Sequence, residues 1–320
     1  MISRRQFHSM TAVAALSASG LTHAQDPWPA RPIRFVVAAG AGGASDVVGR
    51  LFAESMGKIL KATIVVDNKV GGTGQIGTEL VANAAPDGYT LLEGLQTVFT
   101  VLPSQRKLNF SLDSFDVIAG VASQILVFVV RDGLPVNNLR EFVDFAKKNP
   151  GKLTYASPGE GSNGHPLAAI FAQKAGIDLL HVPFNGPAPS MTAVAAGVVD
   201  FLIIASIMPM VKAGRIRPLA IFYDVRHPEL PDVPTAKEAG FDVPLPMAPA
   251  WSLLVPKGTP SAIVSRLYAA AHQTLSDPKA IETLRQANLV ASLQSPTDYR
   301  ANVAADRKLY AELLPLILKK

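Results

Sequence analysis

The chain contains no cysteine among its 320 residues. That excludes disulfides, iron–sulfur clusters, thiolate zinc sites, a cysteine nucleophile and a lipidated N-terminal cysteine. Charge is sparse as well: 17% of residues are charged against 48% hydrophobic, a balance that argues against disorder. The 30 Lys and Arg exceed the 25 Asp and Glu by five, with no basic block, so nucleic acid is not an expected partner. Catalytic signatures are missing too. There is no H-x-x-x-H pair, and Ser162 has Glu160 where a G-x-S-x-G elbow needs glycine. His165, His181, His227 and His272 are scattered, and a lone histidine is more often a packing or surface residue than a base or ligand. No enzyme activity, metal or cofactor is expected. After the first two dozen residues no run is long and uncharged enough to span a bilayer. The most apolar one, from Val198, carries Asp200 and Pro209.

The N-terminus has the form of an export leader. Arg4 and Arg5 precede an uncharged stretch from Ser9 to Leu21, and small residues then set cleavage after Ala24. Ser3-Arg4-Arg5-Gln6-Phe7 resembles a twin-arginine signal, although two arginines equally serve the general route. Cleavage removes two arginines and no acid, taking the net charge from +5 to +3. The mature protein is expected to be soluble and extracytoplasmic.

At roughly 150 residues per domain, the length predicts about two domains. Strand and helix signals alternate. Ile33 to Ala38 reads as a strand ending in glycines, and Asp46 opens a helix with Val48, Leu51, Phe52, Met56, Ile59 and Leu60 on one face. Ala62 to Asp67 and Tyr89 to Leu92 are further strands, with a helix over Thr78 to Ala84 between them. Gly120 to Val130 reads as one continuous apolar strand. A second α/β unit follows, with helices over Asn138 to Lys148, Pro166 to Ala175 and Pro189 to Ala196. Its strands are Lys152 to Ala156, His181 to Phe184, Asp200 to Ile204 and Leu219 to Phe222. Pro228 to Pro249 reads as irregular connection. Trp251 to Val255 is a strand, and two amphipathic helices follow, Ser261 to Leu275 and Pro296 to Leu318. The reading is α/β in two lobes.

Three glycine-rich loops end strands and open helices: Ala39 to Asp46, Gly71 to Gly77 and Ser157 to Gly164. A helix N-terminus leaves backbone N–H groups unpaired and carries about half a positive charge, so such loops suit carboxylate, phosphate or sulfate. Each glycine can equally serve only to turn the chain. Two of the loops satisfy G-x-G-x-x-G, Gly72 to Gly77 and Gly159 to Gly164, and Glu93 ends the strand after the first. This is the case for an exported dinucleotide-dependent oxidoreductase. Against it, the fingerprint occurs twice in different lobes and is missing from the first strand–loop–helix. Asp46 is most simply a helix N-terminal acid favoured by the dipole. Asp200 lies in an apolar run, so its carboxylate sits at a strand end, pairs internally or faces a ligand.

Several segments together resemble the substrate-binding receptors of tripartite tricarboxylate transporters, the Bug family of exported solute-binding proteins. They are Ala39 to Arg50 (AGAGGASDVVGR), Val66 to Leu92 (VDNKVGGTGQIGTELVANAAPDGYTLL), Asn149 to His165 (NPGKLTYASPGEGSNGH), His181 to Phe201 (HVPFNGPAPSMTAVAAGVVDF), Val233 to Gly240 (VPTAKEAG) and Pro256 to Pro260 (PKGTP). The resemblance implies a two-lobed periplasmic-binding-protein fold (type II, Venus-flytrap), each lobe a mostly parallel sheet flanked by helices. Lobe 1 would comprise residues 25–125 plus 249–320, and lobe 2 residues 126–248. The resemblance further implies a small organic carboxylate caught by hinge closure and delivered to membrane permease subunits, with a monomer expected. The implied ligand contacts are Ala41, Gly42, Gly43, Asp46 and Thr97 from lobe 1, and Ser157, Gly161, Ser162, His165 and Asp200 from lobe 2. Two departures bear on which ligand is taken. Val37 to Ala41 lacks the family's aromatic and prolines, which predicts a more flexible loop and a wider pocket. Gly94 to Gln105 also differs, with Gln96 and Phe99 as specificity candidates. A sensor whose closed form is read by a signalling partner is the alternative use of the same architecture.

Overall fold

The computed structural model describes residues 28–205 and 207–317, with side chains to 312 in the last helix. The expected leader, residues 1–24, and its cleavage site lie outside the described residues. The strands are β1 (Ile33–Val37), β2 (Ile64–Asn68), β3 (Thr90–Leu95), β4 (Phe115–Gln124), β5 (Leu126–Arg131), β6 (Thr154–Ser157), β7 (Leu180–Pro183), β8 (Phe201–Ile204), β9 (Ile216–Phe222), β10 (Trp251–Pro256) and β11 (Leu289–Gln294). The helices are α1 (Ala44–Leu60), α2 (Gln75–Ala82), α3 (Gln96–Thr100), α4 (Leu102–Gln105), α5 (Leu139–Lys148), α6 (Gly164–Ala175), α7 (Pro187–Ala195), α8 (Met208–Lys212), α9 (Ser261–Ser276), α10 (Pro278–Gln286) and α11 (Pro296–Ile317).

Two sheets form, in the orders β11-β4-β10-β3-β1-β2 and β7-β6-β8-β5-β9. In the first, β1 to β4 share a direction while β10 and β11 oppose it. In the second only β5 is reversed. The reversals follow from the route of the chain. It leaves the first sheet at the carboxyl end of β4 and enters the second as β5, with only Ile125 between them. A strand that enters a sheet at the edge where its neighbours end must run against those neighbours. The return strand β10 obeys the same rule.

Both faces of both sheets are covered, which explains the near-continuous apolar strands. On β1, Phe35 faces one core cluster and Val36 the other. On β5, Phe128 faces one side while Val127 and Val129 face the other. Phe128 organises the second lobe: its ring lies 4.5 Å from Phe201 and 4.8 Å from Phe142, with Phe171 at 5.5 Å. α1 forms where the pattern places it, burying Val48, Phe52, Met56 and Leu60. α5 starts at Asn138, whose side chain accepts from the Glu141 N–H at 2.9 Å.

Three expectations fail. The run from Gly120 to Val130 is two strands in two sheets, because β4 and β5 are each buried on both faces and nothing in their composition marks the crossing. α10 and β11 were not foreseen: a short charged helix and an edge strand without clean alternation give little periodic signal. Finally, residues 249–320 do not all pack with lobe 1. Tyr299 and Val303 of α11 sit in a core of the first sheet, whereas Tyr310 is buried in the aromatic core of the second. Eleven residues of helix span about 16 Å, enough to strap the lobes together. We expect Tyr310→Ala to cost about 3–5 kcal/mol in urea unfolding. A loss below about 1 kcal/mol, the scale of an exposed site, would show that the strap does not dock.

Candidate functional site

The carboxyl ends of β1 and β3 lie side by side because those strands are parallel neighbours. The loop that follows β1 exposes Ala41, Gly42 and Gly43 to solvent. Asp46 holds this loop from beneath. Its Oδ2 accepts the Gly42 N–H at 2.9 Å and Arg50 Nε at 2.9 Å, and its Oδ1 accepts Asn68 Nδ2 at 3.0 Å. Asn68 Nδ2 also donates to the Ala39 carbonyl at 3.0 Å. The Arg50 hydrogen bond dominates in lowering the Asp46 carboxyl to about 2, with Gly42 and Asn68 adding to it against the cost of burial. Asp46 therefore works as a brace for the loop, all its contacts being internal. Gly43 leads into α1 with no side-chain cap, which leaves the helix's positive end open behind the exposed loop. Thr97 is buried in α3, the short helix after β3.

In lobe 2 the loop after β6 folds on itself. Ser162 Oγ donates to the Gly159 carbonyl at 2.7 Å, and Ser157 Oγ lies 2.7 Å from His181 Nε2. The Gly161 N–H donates to His165 Nδ1 at 3.2 Å, so that nitrogen is unprotonated. The His165 and His181 rings stack at 4.0 Å, 6° from parallel, and Tyr155 stacks on His181 at 4.8 Å. Burial first, and the neighbouring His181 second, push His165 down to about 4. Burial lowers His181 too, while Glu160 pulls it the other way. Both rings are neutral at pH 7. α6 begins beneath this loop, again without a side-chain cap. Gly164 has no room for a side chain, because a Cβ would meet the Ile203 carbonyl oxygen.

The loop faces lobe 1. A Cβ on Gly161 would lie 3.1 Å from the amide of Gln105, in α4, and Gly161 has φ +77°. A cavity of about 50 Å³ near the hinge strands is lined by Gln96 from lobe 1 and Asn163 from lobe 2, among others. That is room for a few waters at most.

The structure thus brings Ser157, Gly161, Ser162 and His165 into one loop, opposite the segment that carries Thr97. It does not bring Asp200 there. Asp200 precedes β8, at the other end of the sheet from Ser157, with Oδ1 on Arg131 Nε at 2.9 Å and Oδ2 accepting the Thr154 N–H at 2.9 Å and its hydroxyl at 3.1 Å. Its carboxylate closes a strand-end network, with both oxygens engaged by Arg131 and Thr154. Phe99 is also withdrawn, packed edge-on to Phe110 and Phe115. Gln96 is tied to Asp306 Oδ2 at 3.1 Å. His181 and Gln105 were not singled out by the sequence reading. Pairing of β6 with β7 puts His181 beside Tyr155, a non-local contact that no local motif signals.

Glu93 is fully buried below the lobe 1 loop. It lies beside the Ser45 hydroxyl and the Ala38 N–H, yet neither carboxyl oxygen makes a hydrogen bond of normal geometry. Burial holds its pKa well above the usual range. A fully buried acid is not placed to meet a ribose, which removes Glu93 as support for the dinucleotide reading.

The model of the tripartite tricarboxylate transporter family receptor matches residues 48–311. The chain belongs to that family. A UPF0065 protein of Bordetella pertussis is 34% identical over 85% of this chain and 84% of its own length. Among solved structures, periplasmic binding protein BugD is similar at TM-score 0.74 and 31% identity, covering 91% of this chain and 98% of its own. MatC of Rhodopseudomonas palustris, solved with bound malate, is similar at TM-score 0.76 and 28% identity, covering 90% and 100%. An R. palustris protein solved with adipate is similar at 0.77 and 28%, covering 90% and 97%. This family member thus has the two-lobed periplasmic-binding-protein fold, and its family is one of solute-binding receptors rather than enzymes.

Two titrations test the site. A histidine whose folded pKa lies below its unfolded 6.5 loses stability as pH falls from 6.5 towards 4. The receptor should lose on the order of 3 kcal/mol there through His165. His165→Asn keeps an acceptor for Gly161 and should flatten that slope in unfolding experiments; an unchanged slope would place the titration elsewhere. Glu93 has the opposite sign, since a raised folded pKa removes stability as pH rises above 4.5. Glu93→Gln should raise the Tm at pH 8 and leave it near wild type at pH 4. A variant less stable at pH 8 would mean that the carboxylate has a partner.

Proposed function

We propose that this protein is an exported periplasmic receptor that captures a small organic carboxylate between its lobes and delivers it to membrane permease subunits. The mature chain would begin at Gln25 and act as a monomer. Residues 25–125 and 249 to about 305 would form one lobe and 126–248 the other, with the end of α11 attached to the second. The observation that carries the reading is the lobe 2 loop. Its backbone and the uncapped start of α6 are presented towards lobe 1 at Gln105, in a family whose solved members include proteins with adipate and with malate.

The chemistry fits an anion. The α1 and α6 N-termini each offer unpaired N–H groups and a positive dipole end to a carboxylate. The proposed cleft lining is Ala41, Gly42 and Gly43 in lobe 1 and Gly161 and Ser162 in lobe 2, with Thr97 and Gln105 on the facing segment. The Gly42 and Gly161 N–H groups already donate to Asp46 and His165, so the free donors are those of the helix starts. Asp46, Ser157 and His165 act from behind by fixing the two loops. Charge-assisted hydrogen bonds of about 1.5–3 kcal/mol each would reach micromolar affinity, about −8 kcal/mol, with only a few made. Closure then converts binding into a shape that a membrane partner can recognise.

A thermal-shift screen of residues 25–320 against malate, adipate, citrate, benzoate, glutamate and NAD tests this. A carboxylate at 100 times its Kd adds about 2.7 kcal/mol, or several degrees. Gly161→Leu should abolish that shift and leave the ligand-free Tm within a few degrees, because the side chain meets Gln105 where the loop must stay bare. Stabilisation by NAD alone would overturn the reading. A full shift in the Gly161 variant would remove that loop from the site.

A further inference from the structure

Away from the cleft, a groove of about 740 Å³ runs between the Val98–Asp113 segment of lobe 1 and the outer face of α11. Arg106, Lys107, Arg300, Arg307 and Lys308 line it, against one carboxylate, Asp113. Arg300 pairs with Asp113 at 3.3 Å, and Lys308 reaches Glu312 at only 4.0 Å. Lys107 and Arg307 have no acidic partner among the described residues. The excess of cations here is four, against +5 for the entire chain. Without the expected leader the chain carries a net +3, so the cation excess at the groove is offset by acids elsewhere on the molecule. Its floor is apolar, with Phe99, Phe110 and Val303 buried beneath it.

We propose that this groove docks an acidic, apolar-tipped segment of the receptor's membrane partner, a reading that rests on the transport function proposed above. Three features favour a protein segment over other anions. The groove is concave with an apolar floor, so a flat lipid surface would touch only its rim. Arg106, Lys107, Arg307 and Lys308 are exposed on flexible stems, whereas a free small anion is usually fixed by buried, well-placed polar groups. An acidic segment with apolar side chains satisfies rim and floor together, and opposite charge speeds its encounter. The groove is also placed to report closure. One wall belongs to lobe 1, while the other lies on the part of α11 that ends at Tyr310 in the lobe 2 core. Only the far end of the second wall, around Arg307 and Lys308, adjoins the Tyr310 anchor, so that end is the part a change at the anchor would reach.

The test uses the source strain with its own copy deleted, complemented by wild type or by the Lys107→Glu/Arg307→Glu variant. The probe is radiolabelled malate or adipate, whichever stabilises the purified wild-type protein. The variant should bind that probe within twofold of wild type, while uptake falls at least tenfold. Uptake at the wild-type rate would overturn the proposal. So would wild-type protein that sediments with phosphatidylglycerol vesicles while the variant does not, which would assign the groove to a lipid surface. If wild-type protein binds no carboxylate, the receptor reading fails and the docking proposal fails with it. That outcome is distinct from intact binding with intact uptake, which sinks the groove alone.

Discussion

The chain crosses between its lobes at the carboxyl edges of both sheets, and the rest of the structure depends on that crossing. Only Ile125 separates β4 from β5, so the two edges are held face to face. Loops that follow parallel strands emerge at carboxyl ends, which places the glycine-rich segments after β1 and β6 on the same side as the crossing. The reversed strands β5 and β10 are a consequence of that route. So is the cleft, since ligands of open α/β sheets bind off carboxyl ends.

Two loops of similar composition are held by opposite means. In lobe 1 the brace is ionic, with Asp46 between Arg50, Asn68 and the Gly42 N–H. In lobe 2 it is neutral, a stack of two uncharged histidines with Tyr155 behind them. Both schemes place the bracing groups behind the loop and leave the helix start in front without a side-chain cap. A bound carboxylate would meet backbone dipoles, with the nearest carboxylate side chain turned away into its own hydrogen bonds. Glu93 is buried close to Asp46, and burial first and the Asp46 charge after it both raise its carboxyl pKa.

α11 ties the two lobes together. Asp306 accepts the N–H groups of Met247 and Ala248 and the amide of Gln96, pinning the returning chain to the helix. Four residues later Tyr310 enters the other lobe. A helix held at both ends in this way is a physical link between the lobes.

Much of the architecture was legible because it is written in local signals. Apolar runs ending in glycine, an acid at the start of α1 and asparagine at the start of α5 locate strands and helices through short-range physics. The ordered matches from Ala39 to Pro260 carried the family, and the loops that would hold an anion were identified from helix ends alone. Tertiary structure decided what depends on distant partners. Whether Asp200 faces a ligand turned on Arg131 and Thr154, which lie 69 and 46 residues away. His181 joined the site only through the pairing of β6 with β7. The break at Ile125 has no sequence mark, because strands buried on both faces look alike on either side of a crossing. The sequence by itself determined most of the elements and their α/β class. Which side chains brace, which face the cleft and which lobe Tyr310 joins were decided by packing, because a buried polar or aromatic group is defined by its neighbours.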